Sequence, residues 1–114
     1  MVKGKRIRQG NIVKVPFPFT EDPSLSKQRP ALVIFPGTDM SILAFMTTQI
    51  SQIRNHPFNV GIKMDGANGL KKDSFVVLEK ITTLDNNLIR GLYGNLAPKD
   101  LMEVKKVITA MFGI

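Results

Sequence analysis

The sequence predicts a mainly β protein, a small barrel of about five to seven short strands with a C-terminal α-helix packed on it. Two observations support this prediction. Short apolar runs rich in β-branched residues recur up to residue 84, separated by Pro, Gly and polar turns. After residue 97 the apolar residues recur instead at helical spacing. The 114 residues fit one domain, which we expect at residues 10–114 behind a basic arm at residues 1–9.

The strands are predicted from the apolar runs, with a polar surface loop between the first two. The first strand begins at Asn11 and is stopped by two prolines. Residues 20–28 form the loop, because their Asp-Pro step and two serines favour turns. The other strands are predicted at residues 31–35, 42–50, 59–64 and 74–84. In the last of these, period two places Val77 and Glu79 on one face and Lys80 on the other.

The end of the chain predicts a single helix. Pro98 suits the first helical turn, where its missing N–H costs no hydrogen bond. The apolar face of the helix would be formed by Leu101, Val104, Ile108 and Met111. Gly113 follows these residues and is a suitable helix stop.

The chain is strongly basic and contains no cysteine. Sixteen Lys and Arg against nine Asp and Glu give a formal net charge of +7, which attracts polyanions. From charge alone, a polyanionic partner, either nucleic acid or an acidic protein, is about as well supported as the use of Lys only for solubility. The lack of Cys excludes disulfides, thiolate metal sites and a Cys nucleophile. No secretory signal and no membrane-spanning apolar run is found, so we expect a soluble cytoplasmic protein without membrane contact.

Five segments, in this order along the chain, resemble the MazF/PemK family of toxin–antitoxin ribonucleases. They are GNIV running into FPFT (10–20), KQRPALVI (27–34), MTTQI (46–50), GLKKDS (69–74) and GNL (94–96). The resemblance implies an SH3-like barrel that forms a homodimer. It also implies sequence-selective cleavage of single-stranded RNA without a metal or other cofactor, and neutralisation by an acidic antitoxin protein.

The resemblance further implies two catalytic residues. Metal-free RNA cleavage uses the neighbouring 2′-hydroxyl as nucleophile and needs a base, an acid and a cation that stabilises charge on the phosphorus oxygens. The family's catalytic Arg matches Arg29, whose guanidinium fits a phosphate bidentately. Its catalytic Thr matches Thr47, whose hydroxyl can donate to a phosphate oxygen. Without the resemblance, Arg29 would be interpreted as a charge at a strand start and Thr47 as an ordinary strand residue.

Glu79 is a third catalytic candidate. Some family members use an acidic residue on this strand as general base, paired with an Arg two residues earlier. That earlier position is Val77 here, so the mechanism with Arg29 and Thr47 is preferred. The candidate RNA-binding residues are Phe17, Thr20, Lys27, Gln28, Thr48 and Gln49. His56, the single histidine, is interpreted as an exposed loop residue, and the scattered acidic residues predict no metal site.

Two other functions remain open. A toxin of the same fold could bind a protein target, as the gyrase-poisoning CcdB proteins do, and substitution of Arg29 or Thr47 would then leave toxicity intact. A degenerate barrel could instead bind nucleic acid or a protein without catalysis. This alternative is favoured because position 77 is Val and not the Arg of some family members. This second alternative predicts RNA affinity that falls steeply with salt, and no cleavage.

Overall fold

The computed structural model describes residues 7–17 and 27–114, except for the side chain of Phe17. Within these ranges the chain forms six strands and one α-helix. They are β1 (Asn11–Phe17), β2 (Lys27–Phe35), β3 (Met40–Thr47), β4 (Asn59–Ile62), β5 (Ser74–Asp85), β6 (Gly91–Asn95) and α1 (Pro98–Phe112). Short 3₁₀ helices follow β3 (Ile50–Gln52) and β5 (Asn86–Leu88). The predicted mainly β fold with a C-terminal helix is confirmed.

The described strands belong to one antiparallel sheet, in the order β4-β5-β3-β2-β1-β6. The sheet curls into a half-barrel, and α1 packs on its inner face against β4 and β5. The helix has the predicted ends, since it begins at Pro98 and Gly113 follows it with a φ of +71°. A residue with positive φ ends a helix by turning the chain out of its hydrogen-bonded path.

The sheet buries apolar side chains on both faces. The inner-face cluster consists of Ile12, Leu32, Ala44, Met46, Val60, Ile62, Leu70, Val76, Leu78, Leu96 and Val104. The outer-face cluster consists of Val13, Val15, Ala31, Val33, Leu43, Phe45, Leu84 and Ile89. Along β1, β2 and β3 successive residues enter the two clusters alternately, so these strands are apolar on both faces. Each fully buried Leu or Ile stabilises the fold by roughly 2 kcal/mol.

The two edges of the sheet are linked by residues 63–70, here called the closure loop. Asn95 of β6 donates its N–H to the carbonyl of Ala67 at 2.8 Å. The backbones approach so closely that a Cβ at Gly94 would lie 2.1 Å from the Ala67 oxygen. Gly69 has a φ of +70°, and a Cβ there would lie 2.1 Å from a backbone oxygen of β6. Glycine is therefore required at positions 69 and 94, which belong to two of the five segments that resemble the toxin family.

Polar side chains fix the conformation of the closure loop. Asn68 is fully buried. Its Oδ1 accepts the N–H groups of Asp65 at 3.1 Å and Leu70 at 3.0 Å, and its Nδ2 donates to the carbonyl of Lys63 at 2.9 Å. Asp65 in turn accepts the N–H groups of Ala67 and Asn68 through one carboxylate oxygen. The buried polar atoms of this loop are thus paired within the loop itself.

The predicted strand bounds are most in error at the start of β2 and at the end of β3. β2 begins at Lys27 rather than after Pro30, because residues 27–30 pair only with β1. The recorded pairing of β2 with β3 begins only at Ala31, so the missing N–H of Pro30 breaks no ladder on that side. β3 ends at Thr47 rather than at residue 50, since the N–H of Gln49 donates to the Thr47 hydroxyl at 3.1 Å and the chain turns.

The strand β6 is absent from the sequence prediction. Its five residues include two glycines and show no apolar alternation. The segment is extended because it pairs with β1, where Asn95 lies opposite Asn11 and Gly94 opposite Ile12. The two asparagines also bond through their side chains, from Asn11 Nδ2 to Asn95 Oδ1. A strand held by such pairing leaves little trace in local sequence pattern.

The last residues of the predicted basic arm contact the sheet. Ile7 packs against the outer-face cluster. The Arg8 N–H donates to the side-chain oxygen of Asn11 at 2.7 Å, and the Gln9 amide donates to the carbonyl of Ile34 at 2.9 Å. Residues 1–6 lie outside the described residues, so the boundary after residue 9 stays a prediction.

The middle of β5 departs from period two. Met46 of β3 pairs with Val76, whereas Ala44 pairs with Ile81, so two steps along β3 face five along β5. The extra residues form an irregularity that we call the β5 bulge, residues 77–80. The predicted alternation is therefore wrong beyond Leu78, because a bulge re-aims the side chains that follow it.

Candidate functional site

A shallow cleft opens where β2, β3 and β5 lie side by side. Its volume is about 70 Å³. The described residues that line it are Arg29, Phe45, Met46, Thr47, Gln52, Val77 and Lys80. Phe45 also belongs to the outer-face cluster, so the cleft is a polar extension of that apolar surface. Arg29 comes from β2, Thr47 from β3 and Lys80 from the β5 bulge, and these strands are neighbours in the sheet.

The hydroxyl of Thr47 is oriented by the turn that follows β3. It accepts the N–H of Gln49 at 3.1 Å, which leaves its own proton available to a ligand. Gln52, on the 3₁₀ helix, donates its side-chain amide to the Gln49 side-chain oxygen at 3.1 Å. The turn thus supplies a hydroxyl and an amide to the cleft. Gln52 is missing from the sequence-predicted residues, because the 3₁₀ helix that presents it was not predicted.

The described lining of the cleft is positively charged. Arg29 and Lys80 are its ionisable side chains, and no Asp, Glu or His is among the described lining residues. Both cations are exposed at the surface, beside an apolar floor formed by Phe45 and Val77. Two like charges at one concave surface attract an anion, and apolar walls strengthen that attraction. The arrangement suits a phosphate group.

The other sequence-predicted site residues lie around the cleft or outside the described residues. Lys27 and Gln28 are exposed at the start of β2, next to Arg29, and pair with the end of β1. Thr48 and Gln49 are exposed in the turn after β3. None of these four is part of the described cleft lining. Thr20 and the side chain of Phe17 lie outside the described residues.

Glu79 has contacts of its own outside the described cleft lining. One of its carboxylate oxygens accepts the N–H of Phe58 at 3.3 Å. The same oxygen lies 3.5 Å from Nδ1 of His56, a buried atom that makes no hydrogen bond among the described residues. The interpretation of His56 as an exposed loop residue is wrong, because its side chain is 31% exposed and lies against β5. Glu79 as general base stays a prediction.

A second, larger cavity lies between α1 and β2 on the inner side. Its volume is about 350 Å³, and it is lined by Gln9, Ile34, Leu101, Val104, Lys105, Ile108 and Thr109. Two of its polar side chains are engaged, since Gln9 donates to the Ile34 carbonyl and Thr109 donates to the Lys105 carbonyl. This cavity is larger than the cleft. We nevertheless take the cleft as the functional site, because Arg29 and Lys80 give it positive charge and Thr47 gives it a hydroxyl donor.

Comparison with known protein families shows which family this chain belongs to. A family model described as a PemK-like, MazF-like toxin of type II toxin–antitoxin systems matches residues 8–112. The chain belongs to this toxin family. The matched range contains all the described residues of the cleft, and the resemblance stated from the sequence is confirmed. No curated protein sequence matches the chain.

Solved structures of MazF toxins share the fold. MazF from Deinococcus radiodurans superposes with a TM-score of 0.74 at 20% identity, over 96% of this chain and 99% of that chain. An endoribonuclease in complex with its cognate antitoxin, from a mycobacterial species, gives 0.73 at 15% identity, over 95% and 96% of the two chains. The Mycobacterium tuberculosis toxin MazF-mt6 gives 0.72 at 18% identity, over 91% and 97%. The likeness shows the fold of this PemK/MazF-like chain.

The described residues provide neither a metal-binding cluster nor a membrane-spanning helix. Among residues 7–17 and 27–114, no group of three or more His, Cys, Asp or Glu is placed to hold a metal ion. In the same part of the chain, no helix has the length and apolar character needed to cross a membrane.

Proposed function

We propose that this toxin is a metal-independent, sequence-selective endoribonuclease that cleaves single-stranded RNA, mRNA included, in the cytoplasm. The observation that carries the proposal is the cationic cleft, in which Arg29 and Thr47 stand together without an acidic residue in the described lining. Family membership supports it, because the similar solved structures include proteins named as endoribonucleases.

The reaction proposed for the cleft is a transesterification within the RNA. The 2′-oxygen forms a bond to the adjacent phosphorus while the bond from phosphorus to the 5′-oxygen breaks. The 2′-hydroxyl gives its proton to solvent water and the leaving 5′-oxygen takes one from solvent water, so the products carry a 2′,3′-cyclic phosphate and a 5′-hydroxyl. Negative charge grows on the non-bridging phosphate oxygens in the transition state. Groups that are already positioned to stabilise this charge lower the barrier.

Arg29 and Thr47 stabilise that charge in this proposal. The Arg29 guanidinium binds phosphate oxygens with two parallel N–H donors. The Thr47 hydroxyl, which accepts the Gln49 N–H, donates a hydrogen bond to another phosphate oxygen. The described lining contains no carboxylate or imidazole. We therefore assign to it transition-state stabilisation and not proton transfer.

The exposed residues around the cleft form the proposed path of the RNA strand. Lys27 supplies charge, while Gln28, Thr48 and Gln49 carry donors and acceptors that can reach base edges. Phe17 and Thr20 complete the proposed set from the sequence. Selectivity would come from these groups, since phosphate contacts are alike for all sequences.

An acidic antitoxin is the proposed protein partner, and the active form is proposed to be a homodimer. The net charge of +7 favours an acidic chain that covers the cleft and competes with RNA. Two of the similar solved structures are complexes of the Deinococcus radiodurans MazF with MazE. Because the attraction is electrostatic, the affinity for an acidic antitoxin segment should fall as salt rises.

The direct test is incubation of long single-stranded RNA with the purified protein in EDTA, beside Arg29→Ala. Arg90→Ala is the matched control, because Arg90 is exposed and its guanidinium donates to the carbonyl of Asn87. The wild type and the control should give the same discrete fragments. The Arg29→Ala protein should cleave roughly 100- to 1,000-fold more slowly, the usual cost of losing one oxyanion-stabilising donor. Equal cleavage by all three proteins would remove Arg29 from the mechanism.

The second candidate function is RNA binding without catalysis on the same fold. It is favoured by the lack of a carboxylate or imidazole in the described lining of the cleft. This candidate predicts RNA affinity that falls with salt, and intact RNA after long incubation in EDTA or magnesium.

A further inference from the structure

We propose that Lys80 is a second phosphate-binding residue of the cleft, placed across β3 from Arg29. The inference deepens the proposed RNA-binding function and rests on it. The sequence pattern instead places Lys80 on the face opposite to Val77. The geometry of β5 reverses that placement.

The β5 bulge is what brings Lys80 to the cleft. Val77 and Lys80 both line it although they are three residues apart, a spacing that a regular strand sends to opposite faces. The register of β3 against β5 accounts for this, since the pairs Met46 with Val76 and Ala44 with Ile81 leave residues 77–80 as excess length. Bulges that re-aim one side chain are common beside active sites.

The neighbouring acid does not neutralise Lys80. Glu79 is directed to the N–H of Phe58 and lies beside His56, away from the described lining. Within the part of the chain that the structure describes, Lys80 forms no salt bridge. Lys80 therefore adds a second positive charge to the described lining of the cleft, and this charge attracts an anion.

The strand order sets the reach of the two cations. β3 lies between β2 and β5, and adjacent strands are about 4.8 Å apart, so the strands that carry Arg29 and Lys80 are separated by roughly 10 Å across the sheet. Both side chains are long enough to reach over β3 and contact one phosphate-containing stretch of a single strand. Lys80 acts there as a point charge without bidentate geometry, so its contribution is to binding and depends on salt.

The experiment measures affinity for a single-stranded RNA in which every 2′-hydroxyl is methylated, so that it cannot be cleaved through the 2′-oxygen. Binding is titrated over a range of salt concentrations for the wild type, Lys80→Met and Lys80→Arg. Lys106→Met is the matched control, because Lys106 is an exposed residue of α1, and α1 packs on the other face of the sheet. Thermal unfolding of each protein shows that the fold is unchanged.

Loss of one phosphate contact should have a defined signature. When the logarithm of the RNA association constant is plotted against the logarithm of the salt concentration, the slope should become about 0.7 less steep for Lys80→Met. The affinity of this variant near 0.1 M salt should fall roughly fivefold. Lys80→Arg and Lys106→Met should keep the wild-type slope, because Arg retains the charge and Lys106 lies elsewhere. The proposal is overturned if Lys80→Met keeps the wild-type slope and affinity, or if Lys106→Met loses as much as Lys80→Met.

Failure of this inference and failure of the nuclease proposal give different results. If unmodified RNA stays intact but methylated RNA binds with a Lys80-dependent salt slope, the nuclease proposal fails and the role of Lys80 stands. If the wild type cleaves RNA and Lys80→Met binds and cleaves like the wild type, only the role of Lys80 fails. If the folded wild type does not bind RNA at all, both fail.

Discussion

The closure loop and the cleft use polar residues in opposite ways. In the closure loop, Asn68 is fully buried and its side chain makes three hydrogen bonds within the loop. In the cleft, Lys80 is exposed and forms no salt bridge among the described residues, and the Thr47 hydroxyl retains its proton for donation. Polar groups that are fully paired inside the protein stabilise it, whereas groups left ready to donate are available to a ligand. The comparison separates residues that maintain the fold from residues that are proposed to act on RNA.

The largest expected effect is on the fold, from Gly94→Ala. The added Cβ would lie 2.1 Å from the Ala67 oxygen, and the obstacle is backbone that cannot rotate away. We expect a loss of about 3 kcal/mol in the free energy of unfolding, at the upper end for overpacking. Chemical denaturation measures it. Gly66→Ala is the control, because a Cβ added at Gly66 would meet nothing within 4 Å. Equal stability of the two variants would show that the close backbone contact between the closure loop and β6 does not stabilise the fold.

The next effect is on the reaction, from Thr47→Ala. Removing the hydroxyl should lower the single-turnover rate of RNA cleavage by roughly 100-fold, the lower end of the usual cost, because one donor to the phosphate oxygens is lost. Thr47→Ser should keep most of the rate, and all variants should unfold within about 0.5 kcal/mol of the wild type. Thr83→Ala, an exposed threonine elsewhere on β5, is the control. A Thr47→Ser protein as slow as Thr47→Ala would mean that the methyl group matters and the hydroxyl does not.

The smallest expected effect comes from Glu79→Gln. The amide oxygen can still accept the Phe58 N–H, so the free energy of unfolding should change by less than about 0.5 kcal/mol. Cleavage should stay within about twofold of the wild-type rate, because Glu79 lies outside the described lining of the cleft. A loss of tenfold or more would instead support Glu79 as the general base that the resemblance suggests.

The local pattern of apolar residues was sufficient to predict five of the strands and the helix. The apolar runs placed five strands, and the spacing from Leu101 to Met111, with Pro98 before it and Gly113 after it, placed the helix. β6 escaped prediction because its extension comes from pairing with β1. The family resemblance supplied Arg29 and Thr47, and both line the cleft.

The rest of the site depends on register, which one sequence does not reveal. Period two grouped Glu79 with Val77, but the excess residues of the β5 bulge bring Lys80 to the cleft in its place. The 3₁₀ helix that presents Gln52 is likewise a product of the chain turning at the Thr47 hydroxyl. Long-range strand pairing therefore determined the parts of the site that sequence reasoning missed.

The chemical identity of the RNA ends tests the central claim most directly. A single-stranded RNA is incubated with the wild-type protein in EDTA, and the fragments are analysed by mass spectrometry. We expect discrete fragments that carry a 2′,3′-cyclic phosphate and a 5′-hydroxyl, since the proposed mechanism uses the 2′-oxygen as nucleophile and needs no metal. Fragments with a 3′-hydroxyl and a 5′-phosphate, or cleavage that appears only when a divalent metal is added, would contradict the proposed mechanism.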